Sequence, residues 1–141
     1  MRLLWVLAIV SVAQCAERPK LVLDPKLATK ITDAAVKCQV ELGVDPIILQ
    51  KLLPWKLEES ETNGKFLVCL MGQLKFSSQD GHLDIERFME LFNDSLKLQN
   101  VDGLRNLLEE CNKETGKNSY YTIYKIANCF HTRTPVVMSL Q

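Results

Sequence analysis

Apolar residues recur at helical spacing along most of the chain, and turn signals divide them into segments. The first predicted helix begins at Asp24, a capping residue, and at Pro25, which suits a first turn; it ends at Gly43. A second Asp-Pro pair, at positions 45 and 46, predicts a short helix through residue 53 that Pro54 ends. The polar stretch 58–64 is predicted as a loop or frayed turn.

Four further helical segments follow this loop. Apolar residues around Cys69 predict the third helix, and Asp84 caps the fourth after a turn at 77–81. The fifth starts at Asp102 and runs out by residue 116, and the sixth spans about 119–132 before Pro135. No strand pattern or internal repeat is evident. We therefore expect an all-α fold, a compact six-helix domain linked by disulfides and enclosing an apolar cavity.

The two ends of the chain differ from the helical middle. Residues 1–16 combine Arg2, an apolar run and a small-residue end, which predicts a secretory signal peptide too short to span a bilayer. Residues 17–141 then form one ligand-binding domain, exported and extracellular. Its tail, 135–141, is unusually apolar, which favours a docked end over a solvated one.

Cysteine usage supports an oxidising compartment. The chain has five cysteines, and cleavage after Cys15 or Ala16 removes one, whereas cleavage after Ala13 keeps it. An even four then remain, which indicates two disulfides with three possible pairings. These four are Cys38, Cys69, Cys111 and Cys129.

Charge limits the classes of partner. Lys and Arg number 17 and Asp and Glu number 17, so the formal net charge is zero, and the signs are interspersed. Such a chain has no cluster of Lys and Arg residues that could bind phosphate backbones, so we expect no nucleic-acid partner. No segment after residue 16 is apolar enough for stable membrane insertion.

Candidates for catalysis and metal binding are few. His82 in a turn and His131 near the end of the last helix stand in no nucleophile or metal motif, so a solvated or structural role is expected for both. An alternative is that His131 senses pH beside the apolar tail. We predict no enzymatic activity and no cofactor.

Two short motifs resemble a calcium loop and a glycosylation site. Aligning Gly81 with the invariant glycine of an EF-hand places Phe76 and Arg87 at positions that require carboxylates, so a helix-capping turn is the better interpretation. Asn93 begins a formal glycosylation sequon within or at the end of a helix, which is a weak match.

The apolar side chains carry most of the remaining information about function. Each apolar side chain can simply fill a core, but a small disulfide-linked domain can also hold a cavity open. Methionines adapt to varied apolar shapes, and tyrosines add a hydroxyl that can orient an alcohol, aldehyde or ester. Trp55 is interpreted as a loop anchor or a residue at the pocket mouth. The predicted ligand contacts are Leu70, Met71, Leu74, Phe88, Met89, Phe92, Leu108, Tyr120, Tyr124, Phe130, Val137 and Met138.

The spacing of the four cysteines resembles that of the insect pheromone and general odorant-binding protein family. That family usually has six cysteines, the second lying four positions before the third and the fifth nine before the sixth. Lys65 and Tyr120 occupy those two positions here, which is similar to the four-cysteine, "C-minus" class. Further similarity lies in Gly43-Val44-Asp45, in Phe66-Leu67-Val68-Cys69-Leu70 and in Asp80-Gly81-His82-Leu83-Asp84.

The resemblance implies a pairing and a function. It implies bridges from Cys38 to Cys69 and from Cys111 to Cys129, with Lys65 near Tyr120. It also implies a secreted carrier that reversibly binds small hydrophobic molecules, such as odorants, pheromones or other semiochemicals, with a role in olfaction left open. Receptor contacts and dimerisation do not follow from it.

Two alternatives compete with the carrier. One is a secreted helical signalling or interaction protein with a solid core. The other is a hydrolase of the secreted phospholipase type, which lacks support because no paired His-Asp beside cysteines and no glycine-rich calcium loop occurs in the sequence.

Overall fold

The computed structural model describes residues 21–23, 25–91, 101–134 and 136–138. This part of the chain contains six helices, which confirms the predicted all-α class. They are α1 (Pro25–Leu42), α2 (Ile48–Leu52), α3 (Glu61–Gln73), α4 (Ile85–Leu91), α5 (Val101–Cys111) and α6 (Ser119–Arg133).

Two short strands accompany the helices and were not predicted. β1 (Leu21–Leu23) pairs in parallel with β2 (Val136–Met138), with Leu21 opposite Val136 and Leu23 opposite Met138. Three residues are too few for a period-two pattern to emerge, and the partner lies at the other end of the chain. Within the predicted tail, residues 136–138 are thus docked through their backbone.

Most helix ends follow the predicted signals. Gly43 adopts φ 64°, a left-handed conformation that glycine accommodates without a steric penalty, directly after α1. The Asp84 carboxylate accepts a hydrogen bond from the amide of Arg87 at 3.1 Å and so caps α4 as expected. α5 ends at Cys111, earlier than the predicted limit near residue 116.

The start of α3 corrects one expectation. Residues 61–64 of the predicted loop are helical, because the Ser60 hydroxyl accepts a hydrogen bond from the amide of Asn63 at 3.1 Å and caps the helix. The sequence carries no apolar signal for this turn, because its side chains are polar and the residue that faces the core is a glycine, Gly64. A Cβ at Gly64 would lie 2.5 Å from the carbonyl oxygen of Tyr120, so only glycine fits this crossing of α3 and α6.

The other end of α3 closes in a Schellman motif. The amide of Lys75 donates to the carbonyl of Gly72, and the amide of Phe76 donates to that of Met71, both at 3.1 Å. Lys75 has φ 62° at the position where glycine is usual. Holding a lysine there costs the fold about 1 kcal/mol or more in backbone strain.

The core forms around α3 and α6, which share the most extensive interface of any two described elements. Two disulfides join two further helices to this pair: Cys38 to Cys69 links α1 with α3, and Cys111 to Cys129 links α5 with α6. The pairing is the expected one. In the loop-closure view each bridge stabilises the fold by about 3 to 4 kcal/mol.

The helices of the described ranges are all too short or too polar for a membrane span, since none combines the length and apolar character required to cross a bilayer.

Candidate functional site

An apolar pocket with a volume of about 90 Å³ lies within the helical core. All six helices or the residues just beyond their ends contribute to its wall, which is almost entirely carbon. The lining residues are Ile31, Leu52, Leu53, Leu70, Met71, Leu74, Phe76, Leu83, Phe88, Leu108, Ile123, Ile126, Ala127, Phe130 and His131.

Half of the predicted ligand contacts lie in this wall, and whether they touch a ligand stays a prediction. These six are Leu70, Met71, Leu74, Phe88, Leu108 and Phe130. Much of the contribution of α1, α2 and α6 to the wall was not predicted. Ile123, Ile126 and Ala127 recur at the helical spacing of α6 and could have been found from that period, whereas Leu53 follows its helix and carries no such signal.

The other predicted contacts lie outside the pocket wall or outside the described part of the chain. Met89 is buried in the core but away from the pocket wall. The Tyr124 hydroxyl donates a hydrogen bond to the carbonyl of Leu57 at 2.8 Å, so it anchors the loop after α2. Phe92 lies outside the described residues, and of Val137 and Met138 only the backbone is described.

Burial changes the ionisation of Tyr124. Its pKa is raised above the ordinary value, first by desolvation and then by the negative charges of Glu59 and Glu58. The hydroxyl therefore stays protonated near neutral pH and donates its hydrogen bond to Leu57.

Tyr120 lies where the family resemblance implies. The Lys65 ammonium is 5.6 Å from the centre of its ring, which confirms that these two positions are neighbours across α3 and α6. Lys65 also forms an ion pair at 3.4 Å with Glu61, one turn earlier. A cation–aromatic contact thus joins α3 and α6 at these two positions.

His131 lines the pocket, and Trp55 stacks on it. Their rings stack in parallel with centroids 4.5 Å apart, and the Trp55 indole nitrogen donates to the Asn128 side-chain oxygen at 2.7 Å. Desolvation lowers the pKa of His131 to about 4, so its imidazole is neutral at physiological pH. Trp55 therefore anchors the loop after α2 onto α6 and covers the histidine that lines the pocket.

A smaller apolar pocket of about 60 Å³ lies between α1 and α2. It shares Ile31, Leu52 and Leu53 with the central pocket, so these three side chains form the partition between the two. Leu53 is 39% exposed. This partition therefore reaches the surface at Leu53.

The turn before α4 owes its shape to hydrogen bonds. The Asp80 carboxylate accepts from the Ser78 hydroxyl at 2.6 Å and from the His82 amide at 2.9 Å, and these contacts lower its pKa to about 2. In the described part of the chain, no cluster of three or more His, Cys, Asp or Glu side chains is placed to hold a metal ion.

Comparison with known proteins defines the class to which this fold and pocket belong. The sequence model of the PBP/GOBP family, a family of small odorant-binding carriers, matches residues 22–133. The chain belongs to the PBP/GOBP family. The match includes all four bridged cysteines and every residue of the pocket wall. The family consists of binding proteins, not enzymes.

Partial similarity to a second group was also found. The chain is 36% identical over 88 residues to the GTPase-activating Rap/Ran-GAP domain-like protein 3 of Danio rerio, and 35% identical over 86 residues to that of Mus musculus. These matches cover 58% and 57% of this chain, but only 9% and 8% of the relatives. The chain thus spans about a tenth of the length of these relatives.

Proposed function

We propose that the protein is a secreted carrier that reversibly binds small hydrophobic molecules, such as odorants or pheromones, in its central apolar pocket. The observation that carries this proposal is the pocket itself, an apolar space among all six helices of a PBP/GOBP chain. Binding is driven by removal of apolar ligand surface from water, at about 25 cal/mol per Å². No chemical step is involved.

The size of the pocket limits the ligand. A cavity of roughly 150 Å³ holds a benzene ring in an engineered protein, and the central pocket is smaller at about 90 Å³. Displacing Leu52 and Leu53 would join it to the neighbouring space of about 60 Å³. We therefore propose a compact volatile, with larger ligands admitted by movement of this partition and of the flexible Met71 side chain.

His131 provides the polar handle in this proposal. Among the described lining residues it is the one with ring nitrogens, and because the wall of the empty pocket is almost entirely carbon, binding requires its neutral imidazole to turn a nitrogen toward a ligand hydroxyl or carbonyl group. Alcohols, aldehydes and esters should therefore bind more tightly than hydrocarbons of equal size.

Secretion and subclass are part of the same proposal. The signal peptide at 1–16 lies outside the described residues, and the two disulfides support an oxidising compartment. The contact between Lys65 and Tyr120 supports membership of the four-cysteine class. The missing link would leave α3 and α6 freer to adapt to a ligand.

Displacement of a fluorescent probe by volatile alcohols, phenols, esters and long-chain lipids tests the carrier function. Ala127→Leu places extra carbons in the pocket and should abolish displacement, while circular dichroism should show the helices unchanged. Ala34→Leu adds the same carbons on α1 away from the pocket and should retain displacement. Absence of saturable binding across the whole panel would instead favour the signalling protein with a solid core.

A further inference from the structure

A second, polar depression adjoins the apolar pocket. It has a volume of about 540 Å³, opens to solvent and shares Leu74 with the apolar pocket. Its wall contains three cations, which we call the basic rim: Lys30, Lys75 and Arg87. Among the described residues of that wall, Glu90 is the one acidic residue.

Each cation of the basic rim is adjacent in sequence to a residue that lines the apolar pocket. Ile31, Phe76 and Phe88 line the apolar pocket, and each is a direct chain neighbour of one rim cation. On three separate segments, the chain therefore turns an apolar side chain inward and a cation outward. The two spaces meet at Leu74, which lines both.

A hydrogen bond from side chain to backbone joins two of the three rim cations, Arg87 and Lys75. The Arg87 guanidinium donates through Nε to the carbonyl oxygen of Lys75 at 3.4 Å, which ties α4 to the end of α3. Among the described residues, none of the three cations forms an ion pair. An excess positive charge thus stands at the edge of an apolar space.

The strained backbone of Lys75 adds to this picture. Its φ of 62° is one that glycine adopts at no cost, yet a lysine occupies the position and extends the rim. Strain kept in a native fold is a starting point for a hypothesis of function.

We propose that the preferred ligands are anionic amphiphiles, carboxylates with a short to medium alkyl chain. The chain occupies the apolar pocket and the carboxylate stays in water at the basic rim. This inference rests on the proposed carrier function. Because the rim is exposed, each cation should change affinity only about two- to fivefold, the range of exposed ion pairs.

The experiment compares octanoate with 1-octanol, which has the same chain and no charge, by titration calorimetry on the full protein. Lys30→Gln and Arg87→Gln should each weaken octanoate about two- to fivefold and leave octanol unchanged. Arg87→Lys should retain octanoate affinity, and Lys37→Gln, on the same helix as Lys30 but outside both pockets, is the matched control. Raising salt from 20 to 500 mM should weaken octanoate alone.

Lys75→Gly separates binding from folding. It should raise the melting temperature by removing strain while lowering octanoate affinity, whereas a purely structural lysine would leave octanoate affinity unchanged. Normal octanol binding with octanoate insensitive to salt and to all rim variants would overturn the anionic preference and leave the carrier function standing. Failure of both ligands to bind would overturn both.

Discussion

At the scale of single residues, the fold tolerates a few local costs inside an otherwise well-satisfied core. Thr134 is fully buried at the end of α6, and its hydroxyl has no hydrogen-bond partner among the described residues. Its backbone is extended, with φ −132° and ψ 109°, which suits a β-branched side chain. The hydroxyl, and not the shape of the residue, is therefore the costly part.

Replacing this hydroxyl by a methyl group should stabilise the protein. We expect Thr134→Val to raise the free energy of unfolding by about 1 kcal/mol, since it removes an unsatisfied buried polar atom at constant shape. Thr132→Val is the control, because the Thr132 hydroxyl donates to the carbonyl of Asn128 at 2.8 Å. Urea titration of both variants measures the difference, and equal effects would contradict the argument.

His131 makes stability depend on pH. Its pKa is 6.5 when unfolded and about 4 when folded, so the unfolded chain takes up the proton first as pH falls. Stability should be unaffected by this group above pH 6.5, decline between pH 6.5 and 4, and have lost about 3 kcal/mol below that window. Denaturant titrations of the wild type and of His131→Phe across this range should show a steeper acid loss in the wild type.

At the scale of elements, the interface of α3 and α6 organises the molecule. A Cβ added at Gly64 would lie 2.7 Å from the Cβ of Tyr120, so the two backbones nearly touch at the place where Lys65 and Tyr120 meet. At this proximity, a third bridge between positions 65 and 120, such as the six-cysteine members are expected to have, would depend only on which side chains stand there.

Restoring that bridge should tighten the fold. Cysteines introduced together by Lys65→Cys and Tyr120→Cys should bond and stabilise the protein by about 4 kcal/mol, because the closed loop of roughly 55 residues is long. Peptide mapping without reductant identifies the new bond, and each single variant serves as a control. Free thiols in the folded double variant would argue against the alignment with the six-cysteine family.

Element boundaries show how far the sequence leads. Asp84 and Gly43 are local signals for a helix start and a helix end, and both of these boundaries were predicted. The first turn of α3 and strand β1 were missed, since one depends on the fit of Gly64 against α6 and the other on a partner more than a hundred residues away. The pocket was predicted in part for the same reason: helical period identifies inward faces, whereas packing decides which inward residues border an empty space.

At the scale of the whole molecule, ligand binding and stability are linked. A ligand that binds only the folded state and is present at 100 times its Kd should add about 2.7 kcal/mol to the free energy of unfolding. For a domain of this size we expect the melting temperature to rise by roughly 10 °C. Differential scanning calorimetry with and without ligand measures the shift, and the pocket-filling Ala127→Leu variant should show none.

The pairing of β1 with β2 also determines how the molecule should respond to force. Because the strands run parallel, handles at Leu21 and Met138 would pull them in opposite directions and load their hydrogen bonds in shear. The two strands should therefore bear the load first and separate before any helix unfolds. After it opens, the bridges withhold spans of 31 and 18 residues from extension, and reducing agent should release those lengths.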